Sequence, residues 1–241
     1  MADTYVLVHG AWHSGELMEP TAKHIRAKGH RVECPTLAGN RPGDDRSKIG
    51  LNDAAESIVT FIRQQGLSDV RLVGHSYGGM VISKVADTIL DKIRRLVYWN
   101  AFVPLDGECL NDMIPGHYVQ MFDQLAASGN GVMIPFPIWR EAFINDADLE
   151  LATSAYGKLN LHPYRTFTDK ISLQKELREL PLGKSYVNCQ QDVALPHSYP
   201  WHPRLSERLG LFRLVECPGS HELCFTNPEL LAQKMIEAGR D

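Results

Sequence analysis

Short, unbroken runs of strand-forming residues alternate with longer stretches whose apolar side chains recur at helical spacing. That rhythm constrains the fold more than any other feature of the sequence. Tyr5-Val6-Leu7-Val8-His9 ends at Gly10, a second run at 31–34 ends at Pro35, a third at 70–73 ends at Gly74, and a fourth occupies 96–99. Runs this short and continuous suit strands buried on both faces. Helical stretches fall between them at 17–28, at 52–66 with Ala55, Ile58, Val59 and Ile62 on one face, and at about 76–90. The order predicts an α/β chain, a mostly parallel central sheet flanked by helices. The rhythm breaks between Pro104 and Pro181, where helical patches and many aromatics appear but no good strand. It resumes with a strand at 184–189, a helix at 199–209, a strand at 211–216 and a helix at 228–238. The expected organisation is a core of residues 1–103 and 182–241, with a helical cap of residues 104–181 inserted after the fourth strand.

Composition excludes several classes. A net charge of −4 over 241 residues argues against a nucleic-acid binder. No apolar run approaches the roughly 18–20 residues of a membrane span, and the N-terminus lacks the charge and apolar pattern of a secretory signal. Five cysteines without a C-x-x-C pair fit reduced, buried thiols and a cytoplasmic setting.

In open parallel sheets, ligands bind outside the carboxyl ends of the strands. The third strand leads into Gly74-His75-Ser76-Tyr77-Gly78-Gly79, a G-x-S-x-G turn between strand and helix, the context in which a serine is held as a nucleophile. A serine hydroxyl needs a base. His221, in the loop after the last strand, lies at the same sheet edge. A carboxylate must orient that base. Asp192 follows the fifth strand, and Asp106, after the fourth, is the competing candidate. The charge formed on acyl attack needs two donors. The backbone N–H of Tyr77 and that of Ala11, in the His9-Gly10-Ala11-Trp12 loop, are placed to supply them. His75 and His9 are read as structural. Metal and organic cofactor are both unnecessary to this set.

Taken together, these motifs resemble the α/β-hydrolase superfamily over essentially the whole chain. The short length and the His-Gly strand are similar to the compact branch of plant methylesterases, hydroxynitrile lyases and small bacterial esterases, including carbamate-ester hydrolases. The resemblance implies a helical cap over Ser76 and hydrolysis through an acyl-enzyme. Two positions depart from the lyases. Glu222 stands where they carry lysine, and Val6 where they carry threonine; cyanide release wants a nearby cation, and a glutamate has the wrong sign. A receptor-like binder of small molecules and a cofactor-free dioxygenase are the remaining alternatives. The expected partner is a small, largely apolar ester, lactone or carbamate, with no nucleic acid or membrane; a homodimer is left open. Trp12, Tyr77, Trp139 and Cys224 are the expected pocket walls.

Overall fold

The computed structural model describes residues 2–127 and 129–241. Six strands form one sheet in the order β2-β1-β3-β4-β5-β6: β1 (Thr4–Val8), β2 (Arg31–Glu33), β3 (Val70–His75), β4 (Ile93–Trp99), β5 (Gly183–Cys189) and β6 (Arg213–Cys217). Every pairing is parallel.

Alternating side chains of each strand build two cores. Val6, Val8, Leu72, Leu96 and Tyr98 face α2 (Leu51–Gln64) and α3 (Gly78–Thr88). Tyr5, Leu7, Val73, Val97 and Trp99 face α1 (Glu19–Ala27) and the C-terminal helix Pro228–Gly239. Burial on both faces explains why β1 reads as an apolar run; in β3 the one charged residue of the run, Arg71, is buried and paired with Asp3 at 2.8 Å. α2 begins where the Asp53 carboxylate accepts the Gly50 N–H at 2.8 Å, which satisfies one of the donors a helix start leaves unpaired. The C-terminal helix opens with Asn227 accepting the Leu230 N–H at 3.1 Å and Pro228 in its first turn.

Between β4 and β5 the chain runs through α4 (Gly116–Ala126), α5 (Phe136–Ile138), which continues into a π turn at Trp139–Phe143, α6 (Leu149–Tyr156) and α7 (Arg165–Thr168). Among the described residues this insert adds no strand to the sheet, only an isolated antiparallel bridge between Val132 and His162. Its return toward the sheet is fastened by Asp106, whose carboxylate accepts the Leu173 N–H at 2.8 Å.

The segment after β5 departs from expectation. No α-helix forms over 199–209; a 3-10 turn at Ser206–Leu209 is all that appears. Pro200 and Pro203 each lack a donor N–H and push the preceding residue toward extended backbone, so the apolar spacing there serves an irregular loop. Leu211, expected in the last strand, lies outside it and is 91% exposed. The last two helices are α8 (Leu223–Thr226) and α9, the C-terminal helix already described.

Candidate active site

Ser76 sits between β3 and α3 with φ at +52°. A side chain held in the left-handed region costs on the order of 1–3 kcal/mol, so the surroundings must enforce it. They do so through the neighbouring strand: Ser76 N–H donates to Trp99 O at 3.2 Å, and Ser76 O accepts the N–H of Phe102 at 3.1 Å and of Gly79 at 3.0 Å. The turn also needs bare backbone. A Cβ on Gly74 would come within 2.7 Å of Gly78 O, and one on Gly79 within 2.1 Å of Phe102 O.

His221 and Asp192, 29 residues apart, meet at the carboxyl edge of β5 and β6. His221 Nδ1–H donates to Asp192 Oδ2 at 2.6 Å, with both side chains buried. The same carboxylate accepts the Ala194 N–H at 2.8 Å and the Asn100 side-chain amide. Asn100, at φ +36° directly after β4, also accepts the Cys189 N–H at 2.6 Å. It was not anticipated from the sequence; its position immediately after a strand end was the one available signal. The His221 ring is stacked by Trp201 at 5.2 Å and 19°, and is met edge-on by Phe143 at 5.2 Å. Asp106 serves the insert backbone as described above, and its carboxylate makes no hydrogen bond to His221 among the described residues.

Two other histidines take local roles. His75 stacks on Trp99 with centroids 3.8 Å apart and donates from Nε2 to the His221 carbonyl at 3.0 Å. Burial holds its pKa well below the usual histidine range. His9 donates from Nδ1 to Gly10 O at 2.8 Å and accepts the Leu37 N–H at Nε2. Burial lowers its pKa to about 3, which keeps it neutral.

Ala11, Trp12, Ser76 and Tyr77 share one cavity with Phe102, Tyr118, Phe143, Leu195 and Trp201. Among the described residues, no charged side chain lines it. The Ala11 and Tyr77 N–H groups donate to no protein acceptor among the described residues. Trp12 has φ at +65°, and its indole N–H donates to Val132 O in the insert at 3.1 Å.

Two residues expected at the cavity lie elsewhere. Trp139 begins the π turn, with its indole N–H on Ala152 O at 3.3 Å and its ring also against His13 and Phe225; Phe143, four residues on, lines the cavity. Cys224 belongs to the core on the α1 and α9 face of the sheet. Glu222 also turns away from the cavity. Its carboxylate meets His13 Nε2 at 2.8 Å, both side chains 1% exposed. Glu222 is therefore not among the residues that line the cavity, and the expectation drawn from its charge in the sequence does not apply there. Burial alone would depress the His13 pKa, but the Glu222 charge and hydrogen bond, with that to Ala11 O, hold it above the usual value.

His13, His75 and Glu222 bring three ligand atoms within 4.8 Å of one another. Their contacts do not fit a metal centre. His13 Nε2 and Glu222 are joined at hydrogen-bond distance, and His75 Nε2 is committed to a backbone carbonyl. No helix among the described residues is long and apolar enough to cross a membrane.

A six-stranded parallel sheet with a serine elbow and a buried histidine–carboxylate pair at its carboxyl edge defines a class, and the comparisons agree with it. The model of the alpha/beta hydrolase family matches residues 5–234, and the chain belongs to that family. It is 47% identical over 250 residues to the carbendazim hydrolyzing esterase of Nocardioides sp. (strain SG-4G), covering 98% of this chain and 99% of that one. It is 26% identical over 246 residues to the pyrethroid hydrolase of Sphingobium wenxiniae, covering 96% and 86%. The solved structure of an extracellular alpha/beta-hydrolase from a Paenibacillus species, described as sharing structural and functional homology with tobacco salicylic acid binding protein 2, superposes with a TM-score of 0.94. That pair shares 37% identity, with 99% of this chain and 100% of the other covered. By class the chain is an enzyme, a carboxylic ester hydrolase.

Proposed function

We propose that the chain cleaves small, apolar carboxylic esters or carbamates through an acyl-enzyme on Ser76. The carrying observation is the 2.6 Å His221–Asp192 hydrogen bond together with a serine held at φ +52°, whose cavity is lined by the two rings, Trp201 and Phe143, that pack on His221. In this reading Ser76 Oγ attacks the substrate carbonyl while His221 Nε2 accepts its proton. Asp192 fixes the tautomer that leaves Nε2 free and stabilises the imidazolium. The carbonyl oxygen takes up negative charge and accepts the Ala11 and Tyr77 N–H groups. The C–O bond to the alcohol breaks, and His221 returns the proton to the leaving oxygen. Water then repeats the sequence on the acyl-serine, releasing the acid or, from a carbamate, a carbamic acid.

The insert serves in this reading as a cap, supplying Leu110, Ile114, Tyr118, Phe122, Phe143 and Phe167 to the cavity wall. An uncharged, aromatic lining suits an apolar substrate. The carbendazim-hydrolysing relative supports including carbamates, since carbendazim is a carbamate ester. The five cysteines are free, which accords with a reducing, cytoplasmic setting.

A panel of apolar esters and carbamates, run in parallel on wild type and Ser76→Ala, tests the reading. Turnover should vanish in the variant, and a fluorophosphonate should add one equivalent at Ser76. Undiminished turnover by Ser76→Ala would overturn it.

A further inference from the structure

Two peptide groups meet at the Ala11 Cα, and an imidazole holds the carbonyl of each. Gly10 O accepts from His9 Nδ1 at 2.8 Å, and Ala11 O accepts from His13 Nδ1 at 2.7 Å. The two braces end differently. His9 is closed off locally by the Leu37 N–H at 3.1 Å. His13 reaches across the molecule: its Nε2 meets Glu222 Oε2, 209 residues away and directly after His221.

The proton count of this bridge follows from its acceptors. A carbonyl only accepts, so His13 Nδ1 carries a hydrogen toward Ala11. A second proton lies between Nε2 and the carboxylate. Both side chains are shut off from solvent, so water does not compete for either bond. The Glu222 end is anchored too. Its N–H donates to Ser220 Oγ at 3.2 Å, and the preceding carbonyl, that of His221, accepts from His75 at 3.0 Å. Around the bridge, His75 meets the His13 ring edge-on at 5.7 Å, Trp139 and Phe225 close the remaining sides, and Cys224 Sγ approaches Glu222 at 3.8 Å.

We propose that Glu222 and His13 are positioning residues that hold the Ala11 loop in register with the segment bearing His221. The inference rests on the reading of Ser76, His221 and the Ala11 N–H given above. An oxyanion donor acts only when it lies about 2.7–3.1 Å from the developing charge. The bridge ties that donor to the segment of the base, so the two reacting groups keep one separation through both halves of the reaction. A loop released by even about 1 Å loses on the order of 10²-fold in rate.

The test uses Glu222→Leu and His13→Phe, which remove the bridge, and Glu222→Gln, which keeps a side chain able to donate to a neutral His13 Nε2. Steady-state kinetics and affinity for an alkyl boronic acid, which forms a tetrahedral adduct on the serine, are read on each. The two bridge-breaking variants should lose roughly 10–100-fold in kcat and a similar factor in boronate affinity, with KM within about two-fold. The double variant should be no worse than either single one, because both remove one link. Glu222→Gln should recover kcat to within a few-fold of wild type. If Glu222→Leu does not fold, His13→Phe and Glu222→Gln carry the test. Unchanged kcat and boronate affinity in His13→Phe, additive losses in the double variant, or Glu222→Gln as impaired as Glu222→Leu would each overturn the proposal. Activity surviving in Ser76→Ala would instead overturn the functional reading beneath it.

Discussion

Two buried imidazole–carboxylate pairs lie close together at the carboxyl edge of this sheet, and they are chemically alike. His221 and Asp192 are 2.6 Å apart, His13 and Glu222 2.8 Å apart, and all four side chains are almost wholly buried. The difference lies in the second ring nitrogen. In His221, Nδ1 holds the carboxylate and Nε2 takes no hydrogen bond from the protein among the described residues. In His13 both nitrogens are occupied, one by Glu222 and the other by Ala11 O. On the proposed reading, such a pair serves as reagent or brace according to whether one nitrogen is left open. Distance and burial do not separate the two cases.

The largest expected effects break the open pair. Ser76→Ala should abolish measurable ester turnover. Asp192→Asn should lower kcat on the order of 10⁴-fold, since the amide strands His221 in the wrong tautomer. Asp106→Asn should leave kcat within a few-fold, because that carboxylate serves the Leu173 N–H. A large loss at Asp106 with little change at Asp192 would mean that the wrong acid had been assigned. Mandelonitrile offers a further contrast. Ser76-dependent aldehyde release from it, with activated esters untouched, would place the open pair in lyase chemistry.

A middle-sized effect sharpens the contrast between charged and neutral buried histidines. His9, with its pKa near 3 against an ordinary 6.5, stays neutral in the folded chain while the unfolded chain takes up a proton. Its stabilisation is complete above about pH 6.5 and is lost as pH falls toward 3. His75 and His162 shift in the same direction, both through burial. His13 opposes them: its pKa is raised, so its contribution is present at low pH and is lost as pH rises through the folded value. With three groups against one, Tm should fall between pH 7 and pH 5. His9→Asn should flatten that slope, as read by calorimetry; an unchanged slope would show that the His9 ring is protonated in the fold.

The smallest effects fall outside the cavity. Cys224→Ala should leave kcat and KM within about two-fold of wild type, since the thiol sits on the α1 and α9 side of the sheet. Trp139→Phe should act mainly on stability. It removes the indole bond to Ala152 O and part of the packing against Phe143 and Tyr156. A KM shift exceeding the stability loss would put that side chain in contact with substrate after all.

What the sequence disclosed, and what it withheld, follows from which features are local. β1 and β3 were legible because strands buried on both faces are mainly apolar, Arg71 being the exception in β3, and each apolar run ends close to a glycine. Ser76 was legible because its turn needs glycine at fixed offsets. His13 and Glu222 were not, because a pair 209 residues apart leaves no spacing to read. Trp139 was misdirected because the sequence shows aromatics at 139 and 143 without showing that only Phe143 lines the cavity. Trp201 was hidden in a loop whose apolar spacing imitates a helix that its prolines forbid.

The hold of the insert on Trp12 bears on how modular this enzyme is. Trp12 follows Ala11 in the chain, its carbonyl accepts the Asn160 N–H at 2.7 Å, and its indole reaches Val132 O. Both partners belong to the insert. Exchanging the insert for a short linker would not expose an intact site with a wider mouth. It would strip two partners from a left-handed residue adjoining the proposed oxyanion donor Ala11 and bare an indole N–H that the fold keeps satisfied. Transplanting this insert between relatives to alter selectivity therefore requires carrying along the contacts at 12, 132 and 160, as one inherited unit.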